Sequence, residues 1–92
     1  MIKITKKGKK TWVTFTISPQ NTQSVEISGE WNSWKNEAMK KKKNGEFYIT
    51  KVMDSSNSFE FGYKLDNGRW ICDESTPKVM SPFNSQNSLL KI

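Results

Sequence analysis

The sequence contains no histidine and a single cysteine, Cys72, among its 92 residues. Without imidazole, the usual Ser-His and Cys-His nucleophile pairs, general-base catalysis near neutral pH and the commonest zinc ligand drop out together. A lone cysteine cannot close an internal disulfide or build a zinc site. Nothing near Cys72 in sequence would lower its pKa, so it reads as a small strand residue rather than a nucleophile. No apolar window approaches the roughly 20 residues that a membrane span requires, and no positively charged start leads into an apolar run of the signal-peptide kind. The expectation is a soluble, cytoplasmic protein. Glycines stand singly, at Gly8, Gly29, Gly45, Gly62 and Gly68, so no glycine-rich phosphate loop is present. Acids are also scarce, nine against fifteen Lys and Arg. Asp66 falls in a turn and Asp73-Glu74 opens a loop, and so small a domain offers little enclosure with which to raise a carboxyl pKa. Hydrolysis by paired carboxylates is therefore disfavoured. No enzymatic activity, cofactor or metal is expected.

What remains is rich in planar side chains: 12% of the chain is aromatic, including four tryptophans, within 34% hydrophobic residues. A chain of this length holds one small core and has no room for a catalytic barrel beside it. Bulky aromatics and few helix-favouring apolar stretches predict a compact β domain. The net charge is +6, with lysines bunched at Lys6, Lys7, Lys9, Lys10 and again from Lys40 to Lys43. Such clusters attract polyanions at low salt, but lysine also guards exposed sheet edges. The solvated, edge-protecting reading is preferred here, and a nucleic-acid partner is not expected. Residues 1–10 read as a basic N-terminal arm or a short edge strand, and residues 11–92 as the single domain.

Along the chain, Thr11 to Ser18 alternates, with Val13, Phe15 and Ile17 on one face and Trp12, Thr14 and Thr16 on the other, and Pro19 and Asn21 end the run. Ser24 to Gly29 is a second strand. If its parity holds, Trp31 points into the core and the following polar turn releases Trp34 to solvent. Asn44-Gly45 is a hairpin signal between Ala38–Lys42 and Glu46–Met53, with Phe47 and Ile49 facing inward. Ser58 to Leu65 alternates most cleanly, Phe59, Phe61, Tyr63 and Leu65 against Glu60, Gly62 and Lys64, and should be a central strand. For the next turn, a three-residue Asp66-Asn67-Gly68 loop with Gly68 left-handed is favoured over a two-residue one. It pairs Tyr63 with Ile71 and leaves Lys64 beside Trp70 on the outer face. Asp73 to Asn87 reads as a long loop, and Ser88 to Ile92 as the last strand. About seven short antiparallel strands predict an all-β, immunoglobulin-like sandwich, with an OB-fold barrel as the alternative. Trp12 and Trp31 are assigned to structure.

The ordered set Val13-Thr14-Phe15-Thr16-Ile17-Ser18-Pro19, Val25 to Trp34, Gly45-Glu46-Phe47, Tyr63-Lys64-Leu65, Asp66-Asn67-Gly68-Arg69-Trp70 and Asn87-Ser88-Leu89-Leu90 resembles carbohydrate-binding module family 48. That family includes the early-set domain of isoamylases and branching enzymes and the glycogen-binding domain of the AMP-activated protein kinase beta subunit. The resemblance spans about residues 11–92. It implies an early-set β-sandwich that binds glycogen, starch-like polymer or maltooligosaccharide without catalysis. It further implies that Trp34 and Trp70 stack on glucose rings, that Lys64 contacts the sugar, and that Phe83, Ser85 and Asn87 complete the site. The chain departs from the family in having Trp31 where Phe is usual and Asn84 where Gly is common.

Three readings follow. The first is an α-glucan-binding module, in which indoles cover the apolar C–H face of each pyranose while lysine and amide groups bond the hydroxyls. The second is a regulatory early-set domain that docks on a separately encoded glycan-metabolising enzyme. The third, least favoured, is a basic single-strand nucleic-acid binder using Lys and Trp together.

Overall fold

A computed structural model describes residues 1–54, 58–66, 68–80 and 86–92. Its strands are β1 (Ile2–Lys7), β2 (Lys10–Ile17), β3 (Val25–Gly29), β4 (Glu37–Ala38), β5 (Lys40–Lys41), β6 (Phe47–Asp54), β7 (Ser58–Leu65), β8 (Trp70–Ile71), β9 (Lys78–Met80) and β10 (Gln86–Lys91), with one 3-10 turn at Glu30–Asn32. They form two antiparallel sheets, the first in the order β1-β2-β6-β5 and the second in the order β4-β3-β7-β10-β9, with β8 also paired to β7. This is an immunoglobulin-like β-sandwich. Among the described residues there is no helix long and apolar enough to cross a membrane.

Period-two alternation decides which side of each sheet is buried. Val13 and Phe15 of β2 and Phe47 and Met53 of β6 face Val25 and Ile27 of β3, Phe61, Tyr63 and Leu65 of β7, and Leu90 of β10. The centre is aromatic: Phe15 lies 5.1 Å from Phe61 edge-on and Phe61 5.7 Å from Tyr63, centroid to centroid. Trp31 closes one end, stacked 5.3 Å from Phe15. The ring is thus packed on the core, as the parity of β3 predicts, although its Nε1 has no hydrogen-bond partner among the described residues.

Several sequence expectations are revised. Of the two readings for residues 1–10, the edge strand is the one found: Ile2–Lys7 pairs with Lys10–Phe15 in a tight hairpin, making β1 the edge of the first sheet. The run from Ala38 to Lys42 is not one strand, because the chain changes sheets at Met39. Before it, Glu37 and Ala38 pair with β3, and after it, Lys40 and Lys41 pair with β6. Met39 itself is buried, and its N–H donates to Val25 O at 2.9 Å. The stretch from Asp73 to Asn87 includes β9, which pairs with the start of β10 through Gln86–Met80, Asn87–Val79 and Ser88–Lys78. Three residues of strand are too few to stand out as a periodic signal.

One buried knot ties the loop after β8 to the core. Asp73 is 1% exposed. Its Oδ2 accepts from the Tyr63 hydroxyl at 2.7 Å, its Oδ1 accepts from the Ser75 N–H at 2.8 Å and the Ser75 hydroxyl at 2.5 Å, and its own N–H donates to Ser88 Oγ at 2.6 Å. Burial alone would push the Asp73 carboxyl up. The Ser75 hydroxyl, the Tyr63 phenol, the Ser75 N–H and the nearby Met1 ammonium outweigh that and hold it below the usual range. Burial, reinforced by the Asp73 carboxylate, pushes the Tyr63 phenol far above its ordinary value.

A carboxylate depressed in the folded state adds stability above its unfolded pKa of about 3.9 and loses it as pH falls through the folded value. Chemical unfolding should therefore give a stability that is level from about pH 7 to 5 and declines below about pH 4. Asp73→Asn should flatten that acid limb. Tyr63→Phe, by leaving a buried oxygen short of a donor, should lower stability by about 1–3 kcal/mol at neutral pH. An unchanged acid limb in Asp73→Asn would rule out this role for the carboxylate.

Candidate functional site

Because β7 turns Phe59, Phe61, Tyr63 and Leu65 inward, it presents Glu60, Gly62 and Lys64 on the outer face of the second sheet. Gly62 leaves a slot there, and the Trp70 indole fills it. A Cβ built on Gly62 would collide with Trp70 Cζ2, so no other residue lets the ring lie against the strand in this way. The Trp70 Nε1–H donates to Gln86 O at 3.0 Å, fixing the rotation of the ring. The register on either side of residues 66–68 is the one expected for a three-residue connection, with Asn67 itself outside the described residues. Leu65 N–H donates to Arg69 O at 2.8 Å, Gly68 has φ of +81°, Tyr63 pairs with Ile71 and Lys64 with Trp70. Lys64 and Trp70 thus stand side by side on the outer face.

Trp34 arrives from the other side, carried by the turn that follows β3. Asn32 organises that turn. Its Oδ1 accepts from Gly29 N–H at 3.4 Å, and its Nδ2 donates to Lys35 O at 3.0 Å and to Glu37 Oε1 at 2.5 Å. Glu37 also accepts from Lys51 Nζ at 2.6 Å, which links the turn to the first sheet. The Lys51 bond, opposed by burial and helped by Asn32, holds the Glu37 carboxyl below its usual range. With the turn pinned, Trp34 N–H closes onto Gly29 O at 2.9 Å. Ser33 and Trp34 then take consecutive left-handed conformations, with φ of +59° and +63°. Two non-glycine residues in that region cost roughly 1–3 kcal/mol each, so the surrounding bonds must impose the geometry. The outcome is a presented ring: Trp34 is 42% exposed.

The two indoles meet with centroids 6.3 Å apart and planes inclined at 47°. They form an inclined pair at the outer face of the second sheet. Asn87 lies on the same face of β10, but it is 6% exposed and its Nδ2 donates to Glu60 Oε1 at 3.2 Å. Its amide is largely occupied in joining β10 to β7. Phe83 and Ser85 lie outside the described residues. Of the six residues singled out in the sequence, the structure brings Trp34, Lys64, Trp70 and Asn87 onto one face. Glu60, which holds Asn87, was not among them; it is one member of an outward-facing alternation, and only its contact gives it a role.

Most acids are engaged in holding backbone or cations. Glu30 Oε1 accepts from Glu60 N–H at 2.6 Å, Asp66 Oδ2 from Gln23 N–H at 2.9 Å, and Asp54 from Lys10 Nζ at 2.8 Å. Cys72 Sγ donates to Gln86 O at 3.2 Å, just beyond β8 rather than within a strand. Among the described residues, no cluster of three or more His, Cys, Asp or Glu side chains is placed to hold a metal ion. No protein-family model matches the chain, and no characterised protein matches it in sequence.

Gly62→Ala should expel the Trp70 ring from its slot while the strand persists, because Gly62 is not in the left-handed region. Coupled indoles at this separation give an exciton pair of bands in circular dichroism. That signal should vanish in Gly62→Ala as it does in Trp34→Phe, with the unfolding transition still cooperative. A retained couplet would show that the two rings do not depend on Gly62.

Proposed function

We propose that the protein is a non-catalytic α-glucan-binding module whose ligand stacks on Trp34 and Trp70. The observation that carries this reading is the pair of surface indoles 6.3 Å apart and inclined at 47°. Two flat rings set at an angle suit the curved, apolar C–H faces of successive glucose units in a helical glucan. Lys64, directly across from Trp70 on β7, supplies a hydroxyl-bonding ammonium beside the rings. The resemblance to carbohydrate-binding module family 48 supports the same assignment, since it implies these three side chains for the sugar. Absence of histidine and the structural employment of the carboxylates favour binding without catalysis.

The exposed areas bound the affinity. A fully exposed indole presents on the order of 250 Å², so Trp34 at 42% exposure offers about 100 Å². At about 25 cal/mol per Å² that is worth ~2.5 kcal/mol. Trp70 is half-buried in its slot and contributes less. After the cost of ordering the sugar chain, a dissociation constant of about 1 to several mM is expected for maltoheptaose.

Titration of maltoheptaose should quench tryptophan fluorescence in that range. Trp34→Ala should weaken binding about tenfold or more, and Trp70→Ala less strongly. With no histidine at the site, affinity should be level between about pH 5 and 8, and nearly independent of salt. Failure to quench at about 10 mM sugar, together with no retention on amylose resin, would remove the proposal. Co-purification with a glycan-metabolising enzyme that survives amylase treatment would instead point to a docking domain.

A further inference from the structure

The charge of the chain is divided between the two sheets. Residues 1–17 and 40–54, which build the first sheet and its hairpins, hold ten of the fifteen Lys and Arg and two of the nine acids, a balance of +8. The remainder holds five and seven, a balance of −2, and it carries the Trp34–Trp70 pair. The cations therefore gather on the sheet opposite the indole pair.

The same parity that buries Val13 and Phe15 puts Trp12, Thr14 and Thr16 of β2 on the outer face of the first sheet. Their partners on β6 are Val52, Thr50 and Tyr48. Trp12, assigned to structure from the sequence, is 38% exposed here. Ammonium groups stand against both rings: Lys7 Nζ is 5.8 Å from the Trp12 centroid and Lys42 Nζ 5.2 Å from that of Tyr48. Between the rings, Thr14 and Thr50 hydroxyls meet at 2.9 Å. Along β6, four residues separate the two aromatic positions, about 13 Å at strand rise. Lys3 and Lys40 point from the same face, across from Thr14 and Tyr48.

We propose that this outer face, centred on Trp12 and Tyr48, is a binding surface for single-stranded nucleic acid, distinct from the Trp34–Trp70 site. Unpaired bases offer flat π faces to Trp12 and Tyr48, and the flanking ammonium groups meet the phosphates, which is the combination that sequence-tolerant single-strand binding uses. A duplex hides its base faces and would use only the charge. An anionic membrane would call for apolar side chains projecting from a loop, whereas these rings lie within a sheet among threonines.

The test is a fluorescence-anisotropy titration of the full chain with a labelled short oligo(dT), with heparin and with phosphatidylserine vesicles as comparisons. Binding at low salt is expected. If about four phosphates are neutralised, affinity should fall on the order of fifty-fold from about 50 to 200 mM salt. Trp12→Ala should weaken binding about tenfold at every salt concentration while keeping the slope, and Lys7→Gln should reduce the slope. Trp12→Phe, which keeps a stacking ring, should retain most of the affinity and serves as the check where Trp12→Ala fails to fold. Trp34→Ala should bind oligo(dT) as the unaltered chain does, and maltoheptaose should not compete, so the two sites succeed or fail separately. The proposal is overturned by any of four results: no binding at low salt, heparin binding as tightly as oligo(dT), folded Trp12→Ala and Lys7→Gln variants that bind unchanged, or vesicles binding while oligo(dT) does not.

Discussion

The alternation of β7 governs both the inside and the outside of the second sheet. Its odd positions, Phe59, Phe61, Tyr63 and Leu65, supply the aromatic and aliphatic centre against which Phe15 and Trp31 pack. Its even positions are Glu60, Gly62 and Lys64, a bond acceptor, an empty slot and a cation. Shift this strand by one residue and four large apolar side chains would face water while a lysine and a glutamate entered the core. The burial of that row therefore holds Gly62 outward, Gly62 admits Trp70, and Trp70 gives Trp34 a surface to rest against. The surface arrangement is a consequence of core packing, with no separate device needed to set its register.

The parts legible in the sequence are those decided by counting. Strand parity alone places Val13, Phe15, Phe47 and the β7 row inside, and counting outward from Tyr63 through a left-handed Gly68 places Lys64 opposite Trp70. The release of Trp34 from the core also follows from parity. Its conformation does not, because left-handed Ser33 and Trp34 carry no sequence mark of the kind that glycine or Asn-Gly gives. That geometry is imposed by Asn32 reaching three partners within the turn and by Glu37 reaching Lys51 across the sandwich, and only the second of these requires the sheets to have met. The sheet change at Met39 was hidden for a related reason: the lysine run around it is uniform in composition, while only one apolar side chain marks the point of crossing.

Asp73 shows the limit of reading loops by composition. A stretch rich in Ser, Asn and Pro looks solvated, yet its acidic residue is buried, because Tyr63 brings a hydroxyl into the core that must be satisfied and Ser75 and Ser88 lie within reach. By parity alone, Tyr63 is simply one of four inward apolar residues. Its phenol also ties the chain just after β8 to the core through the Asp73 carboxylate. The rotation of Trp70 is set by Gly62 beneath the ring and by the Gln86 carbonyl of β10 at its edge.

For the proposed glucan site, the question is how the ordering of the rings offsets a small contact area. A ligand that meets a flexible indole must also immobilise it, at about 0.5–1.5 kcal/mol for each ordered side chain. Here the slot and the Gln86 carbonyl already order the Trp70 side chain, while the turn pinned by Asn32 fixes the backbone that carries Trp34. With only about 100 Å² of Trp34 on offer, a cost of that size would remove a large share of the gain. On the proposed glucan-binding reading, rigidity offsets the small area of a shallow site, and the 47° inclination, already present in the folded chain, suits a curved polymer better than a flat one.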